Sequence, residues 1–180
     1  MNPHVTVTWQ AGDAGIAGKV LSRDGWKALQ AQPEWLIREQ SFFGKASISV
    51  GDTEFPFARA TVIDFIESWR YGLDELALRA QARVELAEQR GTVNLSRDTS
   101  TVTLSTPHDQ RTASCSFIDL LAAILKFAQS SLDELTRTHP DLLVHDLVER
   151  LFRNLGMRQL GQEQFRRHTA AVTKRLHREA

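Results

Sequence analysis

The segment from residue 83 to residue 116 constrains the fold of this chain most, because apolar and polar side chains alternate along it in four short runs. The runs are RVELAEQ, TVNLSR, STVTLST and RTASCSF. One polar residue separates Val93 from Leu95, and one separates Val102 from Leu104. A period of two places such side chains on one face of an extended strand. The pattern predicts an antiparallel meander with one apolar face and one solvated face.

Helical periodicity flanks the meander on both sides. Before it, TVIDFIESWRYGLDELALRA carries an apolar stripe at helical spacing that consists of Val62, Ile66, Trp69, Leu73 and Leu76. After it, FIDLLAAILKFAQSSLDEL is apolar over more than half of its circumference, which is typical of a central core helix. Thr61 with Asp64, and Ser116 with Asp119, have the spacing of capping boxes, which satisfy free N–H groups at a helix start.

A further helix is predicted after the central one. Pro140 suits the first turn of the segment DLLVHDLVERLFRNL, and Gly156 would close it. Strands and helices do not alternate as regular βαβ units along the chain. We therefore predict an α+β fold in which three to four helices pack on an antiparallel meander sheet, with a helical C-terminus.

The N-terminal third combines short strands with turn-forming residues. HVTVTW has a strand period, and IAGKVL, after a glycine-rich connection, could be its return strand. DGWKALQAQ is a helical candidate that Pro33 stops, and PEWLIREQ fits either a helical turn or an extended run. SFFGKASISVGDTEFPFAR predicts a hairpin, because Ile48 and Val50 alternate with serines and Gly51-Asp52 supplies turn chemistry.

Length and charge suggest one domain with a basic extension. A chain of 180 residues can bury a core without disulfides, and its single cysteine, Cys115, excludes an internal disulfide. The formal net charge is zero, but residues 158–180 hold six Lys and Arg against two Glu, so the rest of the chain carries a net −4. We predict a single α+β domain over residues 1–157 and a basic helix over residues 158–180, docked or extended.

We expect neither a signal peptide nor a membrane-spanning segment in this sequence. MNPHVTVTWQ lacks the basic and apolar regions of a signal peptide. The longest apolar stretch, FIDLLAAILKFA, contains Asp119 and Lys126 and is too short to span a bilayer. Because chains without disulfides are usual in the cytosol, we expect a cytoplasmic protein with no membrane partner.

The stretch GDAGIAGK, residues 12–19, invites comparison with a phosphate-binding loop. Such a loop requires G-x-x-x-x-G-K-[ST], in which four intervening residues curl backbone N–H groups around a phosphate. Here five residues separate Gly12 from Gly18, and Val20 replaces the hydroxyl that would bind magnesium. We interpret residues 11–18 as a connection whose glycines permit positive φ, and we expect no ligand or cofactor there.

Catalytic and metal motifs are also incomplete. Cys115 alternates in phase with Ala113 and Phe117, which predicts burial and not reactivity. His145 and Glu149 share a helix face, but no second histidine completes an H-E-x-x-H arrangement. We predict no catalytic residue, no metal site and no cofactor, and hence a protein that is not an enzyme.

Two alternatives stay open at this point. The scattered side chains of His108, Asp109, His145 and Glu149 could meet in space and form an active site. The basic segment 158–180 could contact nucleic acid, although the neutral net charge makes nucleic acid the less favoured partner.

A group of acidic side chains around one aromatic residue is the best candidate for a contact surface. At about 100° per residue these side chains lie opposite the apolar stripe of the 61–79 helix, and they are Asp64, Glu67, Tyr71, Asp74 and Glu75. Nothing on an exposed helix face would shift carboxylate pKa values apart, so acid–base catalysis is not expected. Clustered acids around an aromatic ring suit a basic protein partner. Gly72 could end this helix and divide the apolar stripe.

Four segments carry a family resemblance: SFFGKASISVGDTEF, TVIDFIESW, STVTLST, and SFIDLLAAILKFAQSSLDEL with the Pro140 helix after it. With these segments the chain, over roughly residues 41–155, resembles bacterial immunity proteins of polymorphic toxin systems, including the contact-dependent inhibition type. The resemblance implies a small cytoplasmic protein that binds and blocks a toxin domain without chemistry of its own. Many such proteins are strongly acidic, whereas this chain is neutral, so a simple acidic decoy for a nuclease site is not implied. The resemblance assigns no individual residue.

Overall fold

The secondary structure is seen in a computed structural model that describes residues 3–12, 29, 31–87 and 92–156. The strands are β1 (Val5–Ala11), β2 (Phe43–Val50), β3 (Thr53–Thr61), β4 (Gln81–Glu85), β5 (Thr92–Asp98), β6 (Thr101–Ser105) and β7 (Thr112–Ser116). The helices are α1 (Glu34–Glu39), α2 (Val62–Arg79), α3 (Phe117–Thr138) and α4 (Asp146–Asn154), and a 3₁₀ turn covers Pro140–Val144. The predicted α+β class is confirmed, whereas the predicted helix at 158–180 lies outside the described residues.

The first three strands form one antiparallel sheet in the order β1-β2-β3. The predicted hairpin is confirmed, and it turns at Gly51, whose φ of +58° lies in the region that favours glycine. PEWLIREQ, which the sequence left ambiguous, is helical as α1. The possible return strand at residues 16–21, and most of the helical candidate at 24–32, lie outside the described residues.

The second sheet has the order β4-β5-β6-β7, with every neighbouring pair antiparallel, which confirms the predicted meander. Val93, Leu95, Val102 and Leu104 are all buried, as the alternation predicts. Cys115 is buried beside them, and burial raises the pKa of its thiol to about 11. The thiol is therefore protonated at neutral pH, in agreement with its predicted role as a small apolar side chain.

Helices α2 and α3 connect the two sheets through one apolar core. Helix α2 packs against β3, β4 and β5, and α3 packs against β1, β7 and α2. Trp69, on the predicted stripe of α2, is fully buried with its ring perpendicular to that of Phe57. Phe65 of α2 meets Phe127 of α3 in the same edge-to-face manner, at 5.3 Å between ring centroids. Such aromatic pairs add about 0.5–1.5 kcal/mol to the burial of their apolar surface.

Both predicted helix starts are confirmed. The Thr61 hydroxyl accepts a hydrogen bond from the Asp64 amide at 3.4 Å, and the Ser116 hydroxyl accepts one from the Asp119 amide at the same distance. The expectation that Gly72 could end α2 is wrong, because the helix continues for seven more residues to Arg79.

The segment after Pro140 is divided, where the sequence predicted one helix. A 3₁₀ turn over Pro140–Val144 is followed by α4, and His145 lies between them as the N-cap of α4. Gly156, with φ of +72°, follows the helix as predicted. Among the described helices, none combines the length and the apolar character that crossing a membrane requires.

Candidate functional site

The predicted acidic face of α2 is divided into a buried part and an exposed part. Asp64 and Glu67 are only 8% and 6% exposed, whereas Tyr71 is 58% exposed. Asp74 is exposed and Glu75 is half-buried. The expectation of one solvated face is therefore wrong for the first two turns of α2, because segments distant in sequence cover them.

Arg38 at the end of α1 provides much of this cover. Its guanidinium lies 3.8 Å from the Glu67 carboxylate, and its backbone carbonyl accepts a hydrogen bond from the Thr61 hydroxyl. The Asp64 carboxylate, about one turn earlier on α2, accepts a hydrogen bond from the backbone amide of Ala87 at 2.8 Å. The two carboxylates thus connect α2 to α1 and to the segment after β4.

Burial also changes the titration of these carboxylates. It raises the pKa of Glu67, although the positive charges of Arg38 and Arg150 act in the opposite direction. Burial likewise raises the pKa of Asp64, against the hydrogen bond from Ala87 and the charge of Arg38. The sequence predicted unshifted carboxylate pKa values because it placed these carboxylates on a solvent-exposed helix face. That prediction is wrong for Asp64 and Glu67, because both are buried.

The second half of α2 presents a stripe of exposed side chains with the half-buried Glu75 among them. Tyr71, Asp74, Glu75 and Leu78 follow one another at i, i+3, i+4 and i+7, so they share one face over about 10 Å of helix. Leu78 is 86% exposed, the most of any large apolar side chain in the described part of the chain. The stripe therefore places an aromatic ring and a leucine at its two ends, with two carboxylates between them.

Arginines of α2 neutralise the carboxylates of the stripe. Arg70 lies 2.7 Å from Asp74, and its guanidinium stacks 4.1 Å from the centroid of the Tyr71 ring. Arg79 pairs with Glu75 at 2.9 Å. The stripe is thus balanced in charge and apolar at its ends, and it is not the net acidic patch that the sequence suggested.

Charged side chains of α1 and α4 lie near the Tyr71 end of this stripe. Glu34 of α1 forms an ion pair with Arg150 of α4, and this hydrogen bond raises the pKa of Arg150, as do the nearby Glu67 and Tyr71. Trp35, next to Glu34, is 55% exposed. We define the three-helix surface as a set of side chains on these helices: Glu34, Trp35, Arg70, Tyr71, Asp74, Glu75, Leu78 and Arg150.

The four residues of the alternative enzymatic site lie on two different elements of the fold. His145 is buried as a cap: its Nδ1 accepts from the Leu147 amide at 3.2 Å, and its Nε2 lies 2.9 Å from a backbone carbonyl of residue 32. Glu149 pairs with an arginine of its own helix. His108 and Asp109 lie in the exposed turn between β6 and β7, where a hydrogen bond from a threonine lowers the pKa of Asp109. Within the described residues, no hydrogen bond or ion pair joins these two groups.

The remaining sequence motifs provide no site in the part of the chain that can be described. Ala11 belongs to β1 and not to the predicted connection, and Gly12 donates its amide to the Phe43 carbonyl at 2.8 Å. Residues 13–19 of the glycine-rich stretch lie outside the described residues. Across residues 3–12, 29, 31–87 and 92–156, no group of three or more His, Cys, Asp or Glu side chains could hold a metal ion.

The sequence prediction did not include five members of the three-helix surface: Glu34, Trp35, Arg70, Leu78 and Arg150. Leu78 could have been predicted from the sequence, because it lies seven positions after Tyr71 and so on the same helix face. Arg70 was also recognisable, since it precedes Asp74 by four residues. Trp35 and Arg150 were not, because their position depends on how α1 and α4 pack against α2.

Comparison of the chain with protein-family models, curated proteins and solved structures gives no match. The three-helix surface itself offers contact chemistry: three exposed large apolar side chains, from two helices, among charges that are already paired. Such a surface can bury apolar area against another protein without leaving a charge unpaired.

Proposed function

We propose that this protein is a non-enzymatic immunity protein, which binds a toxin domain through the three-helix surface and thereby neutralises it. The observation that supports this proposal is the exposure of Trp35, Tyr71 and Leu78 on adjoining helices. Exposed apolar side chains grouped within a polar rim are characteristic of protein contact sites. Tryptophan, tyrosine and arginine are also the residue types most enriched among binding hot spots.

The contacts around Tyr71 favour binding because they hold its side chain in place in the free protein. Arg70 holds the ring on one side while pairing with Asp74, so little side-chain freedom remains to be lost on association. The balanced charges make long-range attraction weak. We therefore expect apolar burial to supply most of the affinity, with only a modest dependence on salt.

The resemblance of residues 41–155 to immunity proteins supports the same function and is compatible with a cytoplasmic site of action. The partner is then expected to be a toxin domain at the C-terminus of a large secreted protein encoded next to this gene. A basic partner, which the sequence suggested, is no longer required, because Arg70 and Arg79 already neutralise Asp74 and Glu75.

The direct test measures binding of that C-terminal toxin domain to purified protein by calorimetry. Tyr71→Ala should weaken binding by about 2 kcal/mol, or roughly 30-fold, if Tyr71 is a hot spot. Leu125→Ala is the matched control, because Leu125 is also an exposed apolar residue but lies on α3. The control variant should bind as tightly as the wild type.

Two results would contradict the proposal. If the neighbouring domain does not bind the wild-type protein and retains its toxicity in its presence, the immunity function is wrong. If it binds wild type and the Trp35→Ala, Tyr71→Ala and Leu78→Ala variants equally well, the function survives but the assigned surface is wrong. Substitution of Glu67 is unsuitable for this test, because its burial would confuse lost binding with lost stability.

A further inference from the structure

A groove of about 490 Å³ runs between the start of β1 and the N-terminal half of α3. Residues 3–7 form one wall, and the other wall is one face of α3 with Asp119, Ala122, Ala123, Lys126, Phe127 and Ser130. Successive side chains of a strand point to opposite faces, so a groove on one face would be lined by alternate residues only. Five consecutive residues line this groove, which therefore runs along the edge of β1. Its volume lies in the range of about 300–1,000 Å³ that is typical of ligand sites.

The hydrogen-bond register shows which backbone groups face this groove. Gly51 donates to the His4 carbonyl at 3.0 Å, and Gly12 donates to β2 at 2.8 Å. Hydrogen-bonded pairs alternate along an antiparallel ladder, so the even-numbered residues of β1 direct their N–H and C=O groups to β2. The N–H and C=O groups of Val5 and Val7 therefore point away from β2, and within the described residues no hydrogen bond to them is found.

The α3 wall matches this edge in length and carries two opposite charges, Asp119 near its start and Lys126 seven residues further along. From position 119 to position 130 the helix rises about 16 Å, and residues 3–7 of an extended strand span about 14 Å. Ala122 and Ala123 leave space between the walls. Lys126 is exposed, and no ion pair to it is found in the described part of the chain.

We propose that this groove receives an extended peptide segment of a partner protein, which adds to the sheet as a fourth strand beside β1 and directs an acidic side chain to Lys126. Only an extended backbone can meet the N–H and C=O groups of both Val5 and Val7, which recur at about 7 Å. Main-chain hydrogen bonds then supply the affinity, and the α3 wall supplies the selectivity. The site shares no residue with the three-helix surface and is independent of the proposed toxin contact.

The test uses two blocked peptides, acetyl-TVEVT-amide and acetyl-TVKVT-amide, titrated into the full chain and followed by backbone amide NMR shifts. The glutamate peptide should shift the amides of Val5, Val7 and Lys126 and should bind roughly tenfold tighter than the lysine peptide. Lys126→Glu should reverse that order. Tyr71→Ala should bind both peptides as wild type does, so that failure here is distinguishable from failure of the toxin proposal.

A second variant examines the strand edge itself. Val7→Pro removes an outward N–H but no hydrogen bond to β2, and proline is tolerated at such edge positions. This variant should lose the peptide-induced shifts, whereas Val7→Thr, which keeps the N–H and a similar shape, should retain them. If Val7→Pro does not fold, two N-methylated peptides test the same point. One is methylated at the backbone nitrogen of its central residue and the other at the backbone nitrogen of the next residue. Only one of these two nitrogens can face β1, so only one methyl group should prevent binding.

Three results of the peptide experiments would overturn the proposal: no shift at β1 with either peptide, equal binding of both peptides, or equal binding of both N-methylated peptides. A concentration-dependent dimer in sedimentation that Val7→Pro abolishes would also overturn it, since a second copy of the chain would then occupy the edge.

Discussion

At Gly72 the middle of α2 lies so close to β4 that a side chain has no room. A Cβ atom at this position would lie 2.5 Å from Cγ2 of Val84, which is itself buried and branched. We expect Gly72→Ala to cost about 1–3 kcal/mol through overpacking against Val84. The gain in helix propensity offsets at most about 1 kcal/mol of this, so the free energy of unfolding should fall by up to about 2 kcal/mol. Urea denaturation of both proteins measures the difference.

The partner in this contact provides the control. Val84→Ala removes the opposing methyl group, so the Gly72→Ala/Val84→Ala double variant should lose less stability than the two single variants together. Strict additivity would show that the close approach of α2 to β4 does not determine the effect.

Glu67 makes stability depend on pH. Burial raises its pKa above the ordinary value of 4.5, so between 4.5 and that raised pKa the folded state binds more protons than the unfolded state. The contribution of Glu67 to the free energy of unfolding of the wild type is therefore fully present below pH 4.5, and it is lost as the pH rises through the folded-state pKa. Glutamine resembles the protonated form, so Glu67→Gln should gain stability relative to wild type as pH rises through that window. Urea denaturation across pH measures it, and a difference that is constant or falls with pH would contradict the assignment.

Local sequence patterns correctly predicted the features that depend on residues close together in the sequence. The apolar stripe of α2, both caps and the burial of Cys115 follow from spacings of two to seven residues, and all are confirmed. The burial of Asp64 and Glu67 could not be predicted in this way. Their cover comes from Arg38 and Ala87, which lie more than 20 residues away along the chain.

At the scale of elements, His145 determines where α4 begins. Its ring accepts the Leu147 amide at Nδ1, so the neutral ring carries its proton on Nε2 and donates it to the backbone carbonyl of residue 32. One side chain thus caps α4 and connects it to the segment before α1. The sequence predicted a continuous helix because residues 141–155 have helical spacing throughout, and this spacing does not reveal a cap made by histidine.

His145→Ala should remove both hydrogen bonds and lower the free energy of unfolding by about 1–3 kcal/mol. His145→Asn is the matched control, because asparagine can cap α4 but is too short to replace the second contact; it should lose less. The comparison is made by urea denaturation at neutral pH. Equal losses in the two variants would show that the cap itself contributes little.

For the whole molecule, the central question is whether two separate sheets unfold as one unit. Their inner faces contribute to one core cluster, and both α2 and α3 contact each sheet. Arg111, next to β7, also donates a hydrogen bond to the Glu54 carbonyl of β3 at 2.8 Å. The sequence predicted one domain from its length, but neither the division into two sheets nor the way the helices connect them is visible in local patterns.

This arrangement predicts that a substitution that destabilises one sheet lowers the stability of the other sheet by the same free energy. Gly72→Ala disturbs only the contact of α2 with β4, yet the amides of β2 and β6 that exchange through global unfolding should lose protection by the same free energy. Native-state hydrogen exchange at Ile48 of β2 and Val102 of β6 measures this, because both residues are fully buried. If Val102 lost protection while Ile48 kept it, the sheets would be separate folding units, and the helices would connect them without making their unfolding cooperative.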